Sequence, residues 1–262
     1  MTTRKILEII ANKFFDTSKH NSVKKFHETK DKKYLKELYS SDEYLSQYSS
    51  PKKEWINKFK MLIKFMRIKK GETVLDIGCT TKMLKPFVEK AKGKYFSFDV
   101  SDKFKPSFVG DAEDMHMIKD NQFDWVVAAD IIEHIPNPTK ALKEISRISK
   151  KSIITVPNWY HFDNISILPS NPYDRHLTKQ NPFKWIKMCK KAGFTVRKIS
   201  GLNYTLDIPT YNIKILVCLN KFLNNILFQK FSKFMNKNLA DSIIFKYLGQ
   251  TLILVLKKKD VQ

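Results

Sequence analysis

The sequence predicts an α/β protein built on a doubly wound, mostly parallel sheet. Three observations carry the prediction. Short apolar runs rich in β-branched and aromatic residues end on Asp, Gly or Asn. Stretches of about ten residues with helical spacing lie between them. Glycine is scarce, seven in 262 residues, so each one marks a place where the backbone needs it.

Residues 1–70 read as helices. Ile6, Leu7, Ile9, Ile10 and Phe14 recur at helical spacing, and so do Trp55, Ile56, Phe59, Leu62, Ile63 and Met66. Between them, SSDEYLSQYSSPKKEW (40–55) reads as a helix end followed by a loop, with Pro51 suited to the first turn of the next helix. ETVLDIG (72–78) is a strand that ends at a glycine, and MLKPFVEKAKG (83–93) a short helix closed by Gly93. KYFSFD (94–99), FDWVVAAD (123–130) and KSIITVPN (151–158) are further strands. ALKEISRIS (141–149) places Leu142, Ile145 and Ile148 on one helical face. KWIKMCKKAG (184–193) is a helix with a glycine stop, followed by a strand, FTVRKIS (194–200). Residues 211–239 carry a basic, amphipathic helical pattern, and QTLILVLKKK (250–259) is a last strand with a basic tail. The expected organisation is an N-terminal helical cap (1–70), a core (71–205), a C-terminal helical insertion or lid (206–249) and the last strand with its tail (250–262).

Composition narrows the class. Hydrophobic residues make up 42% and charged residues 28%, which fits a soluble globular protein and excludes a disordered one. Cys79, Cys189 and Cys218 form no CxxC pair and are odd in number, which argues against a disulfide framework and a zinc ribbon. The N-terminal residues lack a signal-peptide pattern, and no apolar run approaches about 18 residues, so a cytoplasmic protein is expected. The net charge of +22 points to nucleic acid, an anionic membrane surface or an anionic substrate. That charge is uneven: residues 1–70 carry +10, residues 71–210 only +5 and residues 211–262 +7. Most of it therefore belongs to the flanks.

Ligands of a doubly wound sheet bind beyond the carboxyl ends of its strands. Those ends hold Asp76 and Gly78, then Asp99, then Asp111, Ala112 and Glu113, then Asp130, and lastly Pro157 and Asn158. An acid after the second strand is placed to accept hydrogen bonds from ribose hydroxyls. Gly78 permits close backbone approach. Acidic strand ends suit a nucleoside with a cationic or neutral tail better than they suit a phosphate.

Six segments in order carry a resemblance. VLDIGC (74–79), FSFDV (96–100), GDAEDM (110–115), FDWVVAADIIEHIPNPTKALKEISRI (123–148), SIITVPN (152–158) and HLTKQNPFKWIKMCKKAGFTV (176–196) together resemble the class I S-adenosylmethionine-dependent methyltransferases, near the ubiquinone-pathway enzymes of the type 11 group. The resemblance implies a Rossmann-like, seven-stranded sheet and binding of S-adenosyl-L-methionine. It places the ribose at Asp99 and the adenine amino group at Asp111 and Ala112, with Asp76, Gly78 and Asp130 around the rest of the cofactor. The first motif of these enzymes usually runs G-x-G-x-G; here Thr80 and Lys82 stand at the second and third glycine positions. Lys82 is then placed to pair with the cofactor carboxylate.

Asp130, Glu133 and His134 share one face if the chain after the fourth strand forms a helical turn, and the resemblance brings His176 to the same strand ends. Two carboxylates and two imidazoles are a candidate set for a divalent metal. Similar sets occur in small-RNA 2′-O-methyltransferases and some quinone O-methyltransferases. His134 and His176 are also the candidate general bases, because an imidazole titrates near neutral pH. The expected activity is methyl transfer from S-adenosylmethionine to an oxygen or nitrogen of a small or lipid-like acceptor, with a peripheral anionic membrane surface as a candidate docking site for the basic flanks. Two other readings stand beside it: an RNA 2′-O-methyltransferase with a metal-assisted acceptor site, favoured by the net charge, and a catalytically degenerate scaffold of the same fold, favoured by Thr80 and Lys82.

Overall fold

A computed structural model describes residues 21–46, 48, 53–158, 175–202 and 251–259. Four helices lead into the sheet: α1 (Asn21–Thr29), α2 (Lys33–Tyr39), α3 (Asp42–Ser46) and α4 (Lys53–Met66). There follow β1 (Thr73–Ile77), α5 (Lys85–Lys90), β2 (Lys94–Asp99), β3 (Phe108–Val109), β4 (Phe123–Ala129) and a 3-10 turn (Ile132–His134). The chain continues through α6 (Pro138–Ile148), β5 (Ser149–Pro157), α7 (Pro182–Lys191), β6 (Phe194–Leu202) and β7 (Thr251–Lys258). Among these residues, no helix is long and apolar enough to cross a membrane.

The seven strands lie in the order β3-β2-β1-β4-β5-β7-β6. The first five in that order are parallel, and β7 runs antiparallel to both β5 and β6. The strand order reverses between β1 and β4, the place where such sheets open a crevice for ligands. Alternation along the strands divides the core into two layers. Leu75, Phe98, Val126 and Ile154 pack against Leu142, Ile145 and Ile148 of α6 and Trp185 and Cys189 of α7. Val74, Trp125, Val127 and Ile153 pack on the other face against Phe59, Leu62 and Met66 of α4, Val88 of α5 and Leu84 just before it. Covered on both faces, these strands need apolar residues throughout, and the sequence shows short continuous runs there.

The expected strands and core helices are present, with boundaries set by capping. Helices α6 and α7 each start at Asn-Pro, earlier than their apolar spacing alone indicates. The Asn137 and Asn181 side chains accept hydrogen bonds from the N–H groups of Lys140 (3.0 Å) and Lys184 (2.9 Å), and the proline occupies the first helical position. Two features differ from the sequence expectation. Strand β3 is only two residues long, too short for a periodic signal. Part of the expected loop at 40–55 is helix α3, opened by Ser41, whose hydroxyl accepts the Tyr44 N–H at 3.2 Å. The apolar pattern at residues 6–14, the insertion at 206–249 and its amphipathic stretch lie outside the described residues.

Helices α2 and α3 are fastened over the carboxyl ends of the strands. Lys32, just before α2, bridges Asp111 (2.7 Å) and Glu113 (2.8 Å). Asp42 at the start of α3 pairs with Lys103 at 2.5 Å. Tyr44 packs edge-on to Tyr39 and lies under the Arg175 guanidinium.

Candidate active site

A cavity of about 430 Å³ opens at the strand ends, between the sheet and α2–α3. That volume is in the range of small-molecule sites. Its floor is Gly78, Asp99, Gly110, Asp111 and Ala112; its roof is Leu35, Tyr39 and Tyr44; Ile131, His134 and Ile135 close one wall. Most of the lining is apolar; its polar groups come from the ends of β1, β2 and β3, from Lys32, Lys33 and Lys36 at α2, and from His134.

The loop after β1 keeps an unusual path. Gly78, Thr80 and Lys82 all have positive φ, at +70°, +39° and +56°. These are the three positions where the resemblance calls for glycine, so the backbone holds the glycine-type conformation with two side chains in place. A β-branched residue at positive φ is strained. Thr80→Gly should therefore stabilise the fold by about 1 kcal/mol, raising Tm by a few degrees in a thermal melt, because only the strain is removed. A drop in Tm would show that the Thr80 side chain makes a stabilising contact. The Lys82 ammonium donates to the Lys105 carbonyl at 2.7 Å and does not line the cavity, which differs from its expected place beside a cofactor carboxylate.

Asp99 lies at the centre of the floor. One carboxylate oxygen accepts the Thr80 N–H and the other accepts the Ser101 N–H, both at 3.0 Å. The Thr80-bound oxygen also accepts a weak contact from the Cys79 thiol at 3.9 Å, which a ligand hydroxyl can displace, and the other oxygen keeps acceptor capacity. Burial pushes the Asp99 pKa up, and backbone N–H bonds oppose that rise. Asp111 and Ala112 line the next part of the floor, with Asp111 already paired to Lys32. At Gly110 a Cβ would sit 3.0 Å from Met117 and 3.1 Å from Phe98, so the floor there is close-packed from below.

Asp76, expected beside the cofactor, does not reach the cavity lining. Its carboxylate lies under the loop and accepts the Tyr95 hydroxyl at 2.9 Å. Burial raises its pKa from 3.8 to about 7, partly opposed by the Tyr95 bond and helped by the charge of Asp99. The sign follows: a raised pKa means the folded state holds the proton more tightly than the unfolded chain. The associated stability is complete below about pH 4 and is lost as pH rises through 7. Asp76→Asn should flatten this dependence, with a gain at pH 8 of at most about 4 kcal/mol. Denaturant unfolding at pH 5 and pH 8 measures it; parallel profiles for the two proteins would contradict it.

Asp130 is held apart from the groups expected to join it. It follows β4 with φ +55°, and its carboxylate is taken by the Lys58 ammonium and the Thr155 hydroxyl. Burial alone would raise its pKa, but Lys58 and Thr155 outweigh burial and hold it low. The 3-10 turn begins only at Ile132, so Asp130 does not share a helical face with Glu133 and His134. The structure does bring Glu133, His134 and His176 together, with one ligand atom of each within 4.8 Å of the others. The His134 and His176 rings stack at 4.8 Å between centroids. His134 Nδ1 lies 2.9 Å from the Arg175 carbonyl, which only accepts, so Nδ1 carries the hydrogen and Nε2 the lone pair. Burial, with His176 adding to it, lowers the His134 pKa to about 4. The expectation that this imidazole titrates near neutrality therefore does not hold; His134 is neutral at pH 7.

Functional-site residues beyond the sequence expectation include Lys58, Tyr95, Ile131 and the roof residues Leu35, Tyr39 and Tyr44. Lys58 has a legible signal. It falls on the apolar stripe Trp55, Phe59, Leu62, Met66 of α4, where a charge needs a partner. Tyr39 and Tyr44 have no such signal, since their role depends on how α2 and α3 cross the sheet.

The comparisons with known proteins agree with this geometry. A family model described as a methyltransferase domain matches residues 47–199. An S-adenosylmethionine-dependent methyltransferase from Archaeoglobus fulgidus has a similar structure: TM-score 0.54, 17% identity, 83% of this chain and 100% of that one. Haemonchus contortus phosphoethanolamine N-methyltransferase 2, solved with S-adenosyl-L-methionine, gives TM-score 0.52 and 18% identity over 79% of this chain and 53% of that one. The [4+2]-cyclase SpnF gives TM-score 0.52 and 14% identity over 78% and 81% of the two chains. No curated protein sequence matches the chain. The presence of a cyclase among these shared folds shows that the sheet alone does not select an acceptor. With a strand order that opens between β1 and β4, a glycine-type loop after β1 and Asp99 on the cavity floor, the chain belongs to the class I S-adenosylmethionine-dependent methyltransferase domain family.

Proposed function

We propose that the protein transfers the methyl group of S-adenosylmethionine to an oxygen or nitrogen of a small or lipid-like acceptor. The observation that supports this reading is the roof: Leu35, Tyr39 and Tyr44 cover the strand-end cavity and leave its lining mostly apolar, although Lys32, Lys33 and Lys36 also line it. An RNA substrate would require an open basic groove at the same strand ends.

The residues present fit the cofactor. A Cβ at Gly78 would overlap Ile131 and one at Gly110 would press on Met117 and Phe98, so backbone shapes the floor at both positions. Asp99 has acceptor capacity for ribose hydroxyls, and Asp111 with Ala112 would hold the adenine end. The bound cofactor supplies a methyl group already activated on a sulfonium. The protein's part is alignment and water exclusion. The roof tyrosines and Ile131 exclude water and favour an acceptor with an apolar body. His134 stands at the wall beside the space left for the acceptor.

Calorimetry with S-adenosylmethionine, followed by transfer of a labelled methyl group to hydroxylated or amino small molecules and lipids, tests the reading. Label in such an acceptor supports it. Label in RNA, with an affinity that falls steeply with salt, supports the 2′-O-methyltransferase instead. Absence of cofactor binding would leave a scaffold role.

A further inference from the structure

The pocket wall carries a second feature that cofactor binding does not use. Glu133 is fully buried, and neither carboxylate oxygen has a hydrogen-bond partner. A buried polar group without a partner is costly, and a buried carboxylate more so. Two imidazoles lie beside it. His134 Nε2 lies 4.0 Å from a Glu133 oxygen, and His176 stacks on His134.

We propose that Glu133, His134 and His176 form a binding site for one divalent first-row transition cation. Chemistry and geometry both support it. Two imidazoles and a carboxylate are a donor set that such cations prefer, with further positions left open. His134 donates its Nδ1–H to a backbone carbonyl, which turns the Nε2 lone pair outward; metal-ligating histidines nearly always make this second hydrogen bond. The segment that carries His176 is pinned to the turn that carries the other two ligands. The Thr178 N–H donates to the Glu133 carbonyl at 2.9 Å, and the Arg175 carbonyl accepts from His134. The three ligand atoms lie within 4.8 Å of one another. Metal–ligand bonds of about 2.0–2.2 Å in a tetrahedral set put the donor atoms about 3.4 Å apart, so closure asks for side-chain shifts of about 1 Å. Asp130 is excluded from the set because Lys58 and Thr155 already engage it.

The site has a consequence for the acceptor that rests on the methyl-transfer reading, although the site itself does not. His134 lines the cavity, so a cation held by these residues would stand beside the space for the acceptor. A hydroxyl bound there would lose its proton more easily, as metal-bound water does. Oxygen acceptors are then favoured over amines.

Titration of the chelator-treated full chain with Co²⁺, followed by visible absorption, tests the site directly. The expected result is one Co²⁺ per chain, displaced by Zn²⁺, with the affinity weakened at least about 10-fold in both Glu133→Gln and His176→Gln. Circular dichroism and S-adenosylmethionine calorimetry on the same variants confirm that each is folded. No stoichiometric Co²⁺ binding, or binding unchanged in both folded variants, overturns the proposal. Because cofactor binding is measured separately, a parent chain that binds the cofactor but no Co²⁺ sinks this inference alone. Metal binding without cofactor binding sinks the proposed function instead.

Discussion

Asp99→Ala is expected to weaken S-adenosylmethionine binding at least about 100-fold. The carboxylate does two jobs that Ala cannot do. It accepts the Thr80 and Ser101 N–H groups, which ties the strained loop after β1 to the end of β2. It also offers its remaining lone pairs to the ribose hydroxyls in the cavity. Hydrogen bonds to a charged group contribute about 1.5–3 kcal/mol each, so losing the ligand contacts alone accounts for a 100-fold effect. Leaving the Thr80 N–H without its acceptor adds to it. Asp99→Asn separates the two jobs. Its amide oxygen can satisfy one of the two N–H groups, but its amino group opposes the other. An intermediate loss is therefore expected. Calorimetry gives the affinities, and thermal melts without cofactor give the cost to the loop. An Ala variant that binds within about threefold of the parent would place the ribose elsewhere.

How far the sequence foretells this site depends on the kind of physics involved. The strands are legible because a sheet covered on both faces needs continuous apolar runs, and VLDI (74–77), WVVA (125–128) and IITV (153–156) supply them. Asp99 is legible because its place at the end of β2 follows from topology. Asp76 and Asp130 occupy the expected positions in the chain but turn away from the cavity, for different reasons. Asp76 points beneath the loop to Tyr95, a partner on the neighbouring strand. Asp130 is captured by Lys58, a residue 72 positions earlier. Pairings over such distances depend on how α4 packs on the sheet, and local spacing carries no record of that. Thr80 and Lys82 mark a subtler limit. Their identities suggest an altered loop, yet both take the left-handed conformation that glycine would take. Hydrogen bonds outside these two side chains impose the path: the Gly78 N–H donates to Phe98, and the Thr80 N–H to Asp99. The roof was the least legible part, because α2 and α3 are short and meet the site through Lys32 and Asp42 ion pairs with distant partners.

Gly78→Ala is expected to have the second large effect, on stability and on binding together. Two costs act at this position. At φ +70° an L side chain is disfavoured by about 1–2 kcal/mol. The new Cβ would also stand 2.1 Å from Ile131 Cδ1 and 2.5 Å from Cγ1, far inside contact distance. Overpacking of this kind costs about 1–3 kcal/mol, which makes the total about 2–5 kcal/mol. The Ile131 side chain can rotate to reduce the clash, but it lines the cavity, so relief of strain competes with the space a ligand needs. Affinity for S-adenosylmethionine should therefore fall even in the molecules that remain folded. The double variant Gly78→Ala/Ile131→Ala distinguishes the two costs. It removes the clashing atoms and leaves the Ile131 Cβ at 3.6 Å, an ordinary contact. The overpacking cost then disappears, the backbone cost remains, and truncation of Ile131 adds a packing loss of its own, which the Ile131→Ala single variant measures. Coupling between the two substitutions, read from melts of all four proteins, should be favourable by about 1–3 kcal/mol. Additive effects, or a single variant that melts and binds like the parent, would mean that the loop does not pass against Ile131, and that the floor of the cavity is not formed by the Gly78 backbone.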